Sequence, residues 1–213
     1  MIQQLKVGGF DDNFSYIITD GKTPKAVIVD PDNVKHLVSE LEEQKLELQA
    51  ILVTHSHHDH VVGVLALVEK YGVPVYVHAK GKERLDIAGG HVVGVEDGDK
   101  IKVGGMEIKV LATPGHIDDA VCYWVGEGRG APGVLTGDTL FVEGCGRADF
   151  AESDVEDLWK SLQRLVKLGD EVKVYPGHDY GSMPVSTIGW EKENNKYLLC
   201  GDFKKFRKMR IGS

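Results

Sequence analysis

Short apolar runs broken by turn residues fill the beginning of the chain. Residues 2–8, 13–19 and 25–30 each read as a strand, with turn chemistry between them at Asp11-Asp12-Asn13 and Asp20-Gly21. Asp32 or Asn33 is placed to cap a helix running to about Gln44. Ala50-Ile51-Leu52-Val53-Thr54 reads as a short buried strand, Val61 to Lys70 as a helix closed by Gly72, and Val75-Tyr76-Val77 as another strand. Residues 80–100 are rich in glycine and charge and read as irregular, with room for a short helix. Lys102-Val103 and Met106 to Leu111, split by Gly104-Gly105, form a hairpin pattern, and Val121 to Val125 and Val134 to Thr136 are further strands. From Ser153 or Asp154 to Leu168, the residues Val155, Leu158, Trp159, Leu162, Leu165 and Val166 recur at helical spacing, so this stripe faces a core. Val172 to Tyr175 is the last strand, and the tail from Thr187 reads as helical and polar. No low-complexity linker divides the chain. The order predicts one domain over residues 1–213, an α/β fold of two helix-flanked sheets packed face to face.

Bulk properties narrow the function classes. The 213 residues suffice for one sizeable domain, and 42% hydrophobic with 27% charged residues is ordinary globular composition. A net charge of −8 argues against a broad nucleic-acid surface and is compatible with a protein that holds cations. Cys122, Cys145 and Cys200 are widely spaced, which predicts no disulfide framework and a reducing, cytoplasmic setting. Neither a secretory leader nor an apolar run approaching the ~20 residues of a bilayer span is expected from the pattern.

The chemistry concentrates in Thr54-His55-Ser56-His57-His58-Asp59-His60, an H-x-H-x-D-H array at the end of a predicted strand. Its ligand-type side chains cannot all face one metal from a regular helix or strand, so the array is expected in a loop. As bland surface or core residues they would crowd one another without partners, whereas histidine and carboxylate are common metal ligands. Three later strands each end on one further ligand-type residue: Thr113-Pro114-Gly115-His116, Thr136-Gly137-Asp138-Thr139 and Tyr175-Pro176-Gly177-His178. Pro-Gly sets a sharp turn that aims the ligand back over the sheet.

In this order the motifs resemble the metallo-β-lactamase-fold superfamily, and within it the glyoxalase II (hydroxyacylglutathione hydrolase) branch, from Asp12-Asn13 to about Asn195. The resemblance implies an αββα sandwich. It implies that His55, His57 and His116 bind one metal, that Asp59, His60 and His178 bind a second, and that Asp138 bridges both. Zinc is the expected ion, with iron or manganese as alternatives. His58 falls at a non-ligand position, at the pocket mouth. His36 is expected to be solvated, and His78 and His91 to be structural. Asp30 either supports a ligand from behind or caps its turn.

The resemblance further implies hydrolysis of a thioester by a hydroxide bridging two metals, with Asp59 orienting it or shuttling a proton. No nucleophile elbow competes for that role. The substrate is expected to be a small-molecule thioester, possibly of glutathione, with Arg147 and Tyr180 as its contacts; no nucleic-acid or membrane partner is expected. The chain departs from the branch where glutathione is gripped. Little sequence follows His178, Ile117-Asp118-Asp119 replaces the usual Thr-Ser-Gly, and the aromatic that follows the Gly144-Cys145-Gly146-Arg147 run in the branch is replaced, the chain continuing Ala148-Asp149-Phe150. The rival reading is a persulfide dioxygenase of the same fold, with one iron on His55, His116 and Asp138, because Gly144 to Phe150 is close to that family's run. A third is a non-catalytic metal- or nucleic-acid-binding member. Lys204, Lys205, Arg207, Lys208 and Arg210 form a basic tail, read as a solvated terminus or as an attractor of anionic thiols.

Overall fold

The computed structural model describes residues 1–85, 87, 90–126 and 132–212. Its first sheet runs in chain order: β1 (Ile2–Lys6), β2 (Phe14–Thr19), β3 (Lys25–Val29), β4 (Glu47–Leu52), β5 (Val75–His78) and β6 (Val92–Val95). β1 to β3 are antiparallel neighbours, and β3 to β6 are parallel. The crossovers carry α1 (Val34–Glu43) and, after the histidine array, α2 (His58–Val61) and α3 (Val64–Tyr71). Asn33 caps α1 by accepting from the His36 amide.

The second sheet contains β7 (Lys100–Val103), β8 (Met106–Ala112), β9 (Val121–Val125), β10 (Gly133–Gly137), β13 (Lys173–Pro176) and β14 (Ser186–Thr187), in the order β14-β13-β10-β9-β8-β7. A small hairpin, β11 (Leu140–Phe141) and β12 (Gly144–Cys145), leaves its face. Around it lie α4 (Val155–Leu165), α5 (Ile188–Asn194) and α6 (Phe203–Ile211). Asp154 caps α4 by accepting from the Glu156 and Asp157 amides.

Three apolar layers make this an αββα sandwich. Phe14, Tyr16 and Ile18 of β2 meet Ile108, Val110 and Tyr123 of the other sheet between the two. The alternate residue Ile17 lies with Leu37, Leu41, Val64 and Leu67 under the first helix layer. Val134 and Val174 lie with Leu158, Leu162, Leu165 and Phe206 under the second. Because central strands bury both faces, their sequences read as nearly continuous apolar runs.

The structure corrects several expectations. The array lies only half in a loop: His58–Val61 forms one helical turn, and a break at Val62–Gly63 separates it from α3. The stretch read as irregular holds β6 and the start of β7, after a 3-10 turn over Ala79–Arg84; residues 86, 88 and 89 of it lie outside the described residues. The tail is not simply polar and solvated. Phe206 is fully buried against Trp159 and Tyr197, and Arg210 donates to the Cys145 carbonyl at 3.2 Å. Among the described residues no helix is long and apolar enough to cross a membrane.

Candidate metal centre

The array ends β4 and divides its donors between two backbone conformations. His55 and His57 are two apart in extended chain, so both project to one side. Asp59 and His60 follow on the turn of α2 and face the other half of the centre. His116 arrives after β8, Asp138 after β10 and His178 after β13, all from the second sheet. Gly177 is required at its turn, since a Cβ there would stand 2.4 Å from Asp138 Oδ1 and 2.9 Å from the His60 ring.

The seven side chains converge as two triads and a shared carboxylate. His57 Nδ1 lies 3.1 Å from His55 Nε2 and 3.0 Å from His116 Nε2. On the other side, Asp59 Oδ2 lies 3.3 Å from His60 Nε2 and 3.5 Å from His178 Nε2. Asp138 faces both: Oδ1 is 3.3 Å from His60 Nε2, and Oδ2 is 3.5 Å from His116 Nε2 and 3.3 Å from His178 Nε2. Within each of the sets His55/His57/His116, His55/His60/Asp138 and Asp59/His60/His178, the donor atoms lie within 4.8 Å of one another.

The far side of each ring explains why these atoms suit a cation. His116 Nδ1 donates to the Arg147 carbonyl at 2.9 Å and His178 Nδ1 to the Asp11 carbonyl at 2.8 Å. His60 Nδ1 donates to Asp30 Oδ2 at 2.9 Å. Thr54 Oγ1 gives its proton to the same Asp30 oxygen at 2.6 Å, so it accepts from His55 Nδ1 at 3.1 Å. Each of these rings, when neutral, therefore turns a lone pair on Nε2 toward the centre. Lone pairs face lone pairs there. The buried atoms His60 Nε2 and Asp138 Oδ1 have no hydrogen-bond partner among the described residues. Acceptors converging without donors are the signature that a cation satisfies.

Electrostatics agree. Burial disfavours charge on Asp138, but the His60 and His178 imidazoles outweigh it and hold its carboxyl well below the ordinary range. Burial likewise opposes protonation of His60, yet Asp138 and Asp30 raise its pKa well above the usual value. These two directions report a centre that demands positive charge. On the other triad, burial first and neighbouring imidazoles second push His55 and His57 down, which keeps their lone pairs free for a metal.

The family model described as "Metallo-beta-lactamase superfamily" matches residues 8–178. The chain belongs to the metallo-beta-lactamase superfamily. It is 32% identical over 200 residues to the probable polyketide biosynthesis zinc-dependent hydrolase PksB of Bacillus subtilis (strain 168), covering 93% of this chain and 87% of that protein. It is 39% identical over 182 residues to the hydroxyacylglutathione hydrolase of Chromohalobacter salexigens, covering 84% of this chain and 67% of that one. The crystal structure of ETHE1 from Myxococcus xanthus superposes with a TM-score of 0.87 at 34% identity, over 99% of this chain and 90% of that chain. The two named hydrolases place the chain among the metal-dependent hydrolases of the superfamily.

The open side of the centre decides what can enter. A cleft of about 370 Å³ opens over it, floored by His57, His116, Asp59, His178 and Asp138 and walled by Asp11, Phe141, Arg147, Phe150 and Tyr180. The Tyr180 ring stacks on His178 at 4.7 Å, and its hydroxyl donates to Asp11. Arg147 lies in the wall but pairs with Asp149 through two bonds of 2.9 and 2.8 Å, its guanidinium 4.5 Å above the Phe150 ring. Phe150 in turn sets its edge against His57 and His116. His58 is exposed and lines this cleft. His36 stays at the surface near Glu40, and His78 caps the 3-10 turn by accepting from the Lys80 amide. Sequence reasoning missed Asp11, Phe141 and Phe150 as cleft residues. For Phe150 a signal existed, its place just beyond the Gly144 to Arg147 run.

Proposed function

We propose that the chain is a binuclear metallohydrolase of small-molecule thioesters. His55, His57 and His116 hold one divalent ion, Asp59, His60 and His178 the other, and Asp138 is shared. The observation that carries the reading is the Asp138 carboxylate, whose oxygens face His60 on one side and both His116 and His178 on the other. Two divalent cations held by these residues would acidify a water and polarise a carbonyl. Asp59 stands on the cleft side, its Oδ2 held by the Asn13 amide at 3.2 Å, where it orients the attacking water and holds its proton. Arg147 and Tyr180 position the thiol portion. A thiolate leaves readily, so no acid is required at the leaving group. The hydroxyacylglutathione hydrolase relative supports a thioester, and the zinc-dependent relative supports zinc.

A second reading, a mononuclear iron dioxygenase acting on a persulfide, draws support from the Gly144 to Phe150 run and the likeness to ETHE1. It leaves Asp59, His60 and His178 without work, although Asn13, Asp30 and the Asp11 carbonyl hold them as firmly as the other triad. Metal content and O₂ uptake of the purified protein separate the two. The hydrolase reading expects two ions per chain, no O₂ uptake, and loss of most thioester hydrolysis in His60→Ala. One iron per chain, with persulfide-dependent O₂ consumption that survives His60→Ala, overturns it.

A further inference from the structure

We infer that Asp119 is a positioning residue for the first triad, a buried strut that ties the His55–His57 loop to the segment after His116. The inference rests on the two-ion reading of the centre. Asp119 is completely buried, and its side chain reaches two segments other than its own. Its Oδ1 accepts from the Ser56 amide at 3.4 Å, and Ser56 lies between His55 and His57. Its own backbone lies three residues beyond His116. Its Oδ2 lies 3.4 Å from Arg84 Nη1, which also donates to Asp118 at 2.7 Å. Gly81 packs against the same carboxylate: a Cβ there would stand 2.2 Å from Oδ2.

One carboxylate thus connects both backbone segments that supply His55, His57 and His116, and anchors them to the 3-10 turn of Ala79–Arg84. The contacts described for Asp59, His60 and His178 run instead through Asn13, Asp30 and Asp11. The asymmetry has a direct consequence. Loosening Asp119 lets His55 and His57 drift relative to His116 and leaves the other triad in place. A buried carboxylate beside one partly exposed guanidinium is also costly to leave unpaired, so Arg84 is part of the same device.

The test titrates Zn²⁺ against a competing chelator into metal-stripped full-length chain. His60→Ala isolates the first triad and His57→Ala the second. Asp119→Ala is expected to weaken the first constant at least about tenfold, as loss of an outer support does, and to leave the second within about twofold. Asp119→Asn keeps the acceptor for the Ser56 amide and should recover most of the loss. Amide hydrogen exchange on the metal-free protein gives a readout that needs no ion. Exchange at Ser56 should quicken at least about tenfold relative to His60 in Asp119→Ala. If Asp119→Ala fails to fold, Asp119→Leu fills the same space without an acceptor and is read in its place. Equal weakening of both constants, an Asn variant no better than Ala, or unchanged exchange at Ser56 overturns the strut. Uptake of one ion by the unaltered chain would instead overturn the two-ion reading, and the exchange ratio would still judge Asp119.

Discussion

Replacing Asp30 with asparagine keeps the shape beneath the metal centre and removes one charge and one acceptor. Asp30 Oδ1 accepts from the Thr54 amide at 2.7 Å, while Oδ2 accepts from both Thr54 Oγ1 at 2.6 Å and His60 Nδ1 at 2.9 Å. If the new amide nitrogen takes the Oδ2 place, it meets two donors. His60 must then move its proton to Nε2, and the Thr54 hydroxyl must turn to His55 Nδ1, which moves that ring's proton to Nε2 as well. Both lone pairs aimed at the centre are lost together. If the amide takes the opposite orientation, its NH₂ confronts the Thr54 N–H, a buried donor left unmade at about 1–3 kcal/mol. A hydrogen bond to a charged group contributes about 1.5–3 kcal/mol, which corresponds to roughly ten- to hundredfold in affinity. Asp30→Asn should therefore weaken Zn²⁺ binding by about that factor, measured by chelator competition, with ¹⁵N chemical shifts of the imidazoles reporting the tautomers. Affinity within about twofold of the unaltered chain, with the His55 and His60 tautomers unchanged, would refute the reasoning.

Further outcomes follow from other residues. Asp138→Ala should lower metal stoichiometry and hydrolysis together, by elemental analysis and initial rates; two retained ions with near-normal turnover would remove it from the shared position. Phe206→Ala should destabilise the fold by about 3–5 kcal/mol in urea unfolding, since the ring is fully buried against Trp159 and Tyr197. The Asp20 carboxyl is held far below its usual 3.8 by the Thr23, Lys22 and Gly105 amides. Its contribution is fully present above the unfolded value and declines as pH falls toward the folded one. The stability gap between the unaltered chain and Asp20→Asn should therefore be open at pH 7 and narrow below pH ~4; a gap independent of pH would contradict the assignment.

How much of this the amino-acid order discloses depends on the kind of contact. α4 was legible because one stripe from Val155 to Leu165 repeats at helical spacing behind an Asp154 cap. The turn His58–Val61 was not, since four residues are too few to show a period. β6 escaped notice because Val92-Val93-Gly94-Val95 is short and sits amid glycine and charge; its pairing comes from β5. In the tail, Phe206 is one aromatic among basic neighbours, so its docking depends on a groove that only tertiary structure provides. The convergence of His116, Asp138 and His178 on the array could be anticipated, because each ends a strand at a tight turn. The carbonyls of Asp11 and Arg147 that fix two of the rings could not, since any residue type offers a carbonyl.

The inward-facing lone pairs also make folding and ion supply one equilibrium. Closing the sandwich forces His55, His57, His60, His116 and His178 toward two carboxylates, and that crowding is relieved only when a cation or a proton enters. An ion that binds the folded chain and not the unfolded one adds about 1.4 kcal/mol to stability for each tenfold rise in its free concentration above the dissociation constant. If the centre takes up ions as proposed, the melting temperature of this protein should rise with free metal. On the same reading, metal starvation would make the chain itself scarce, and not only its turnover, because an ion-poor form populates the unfolded state that proteases remove.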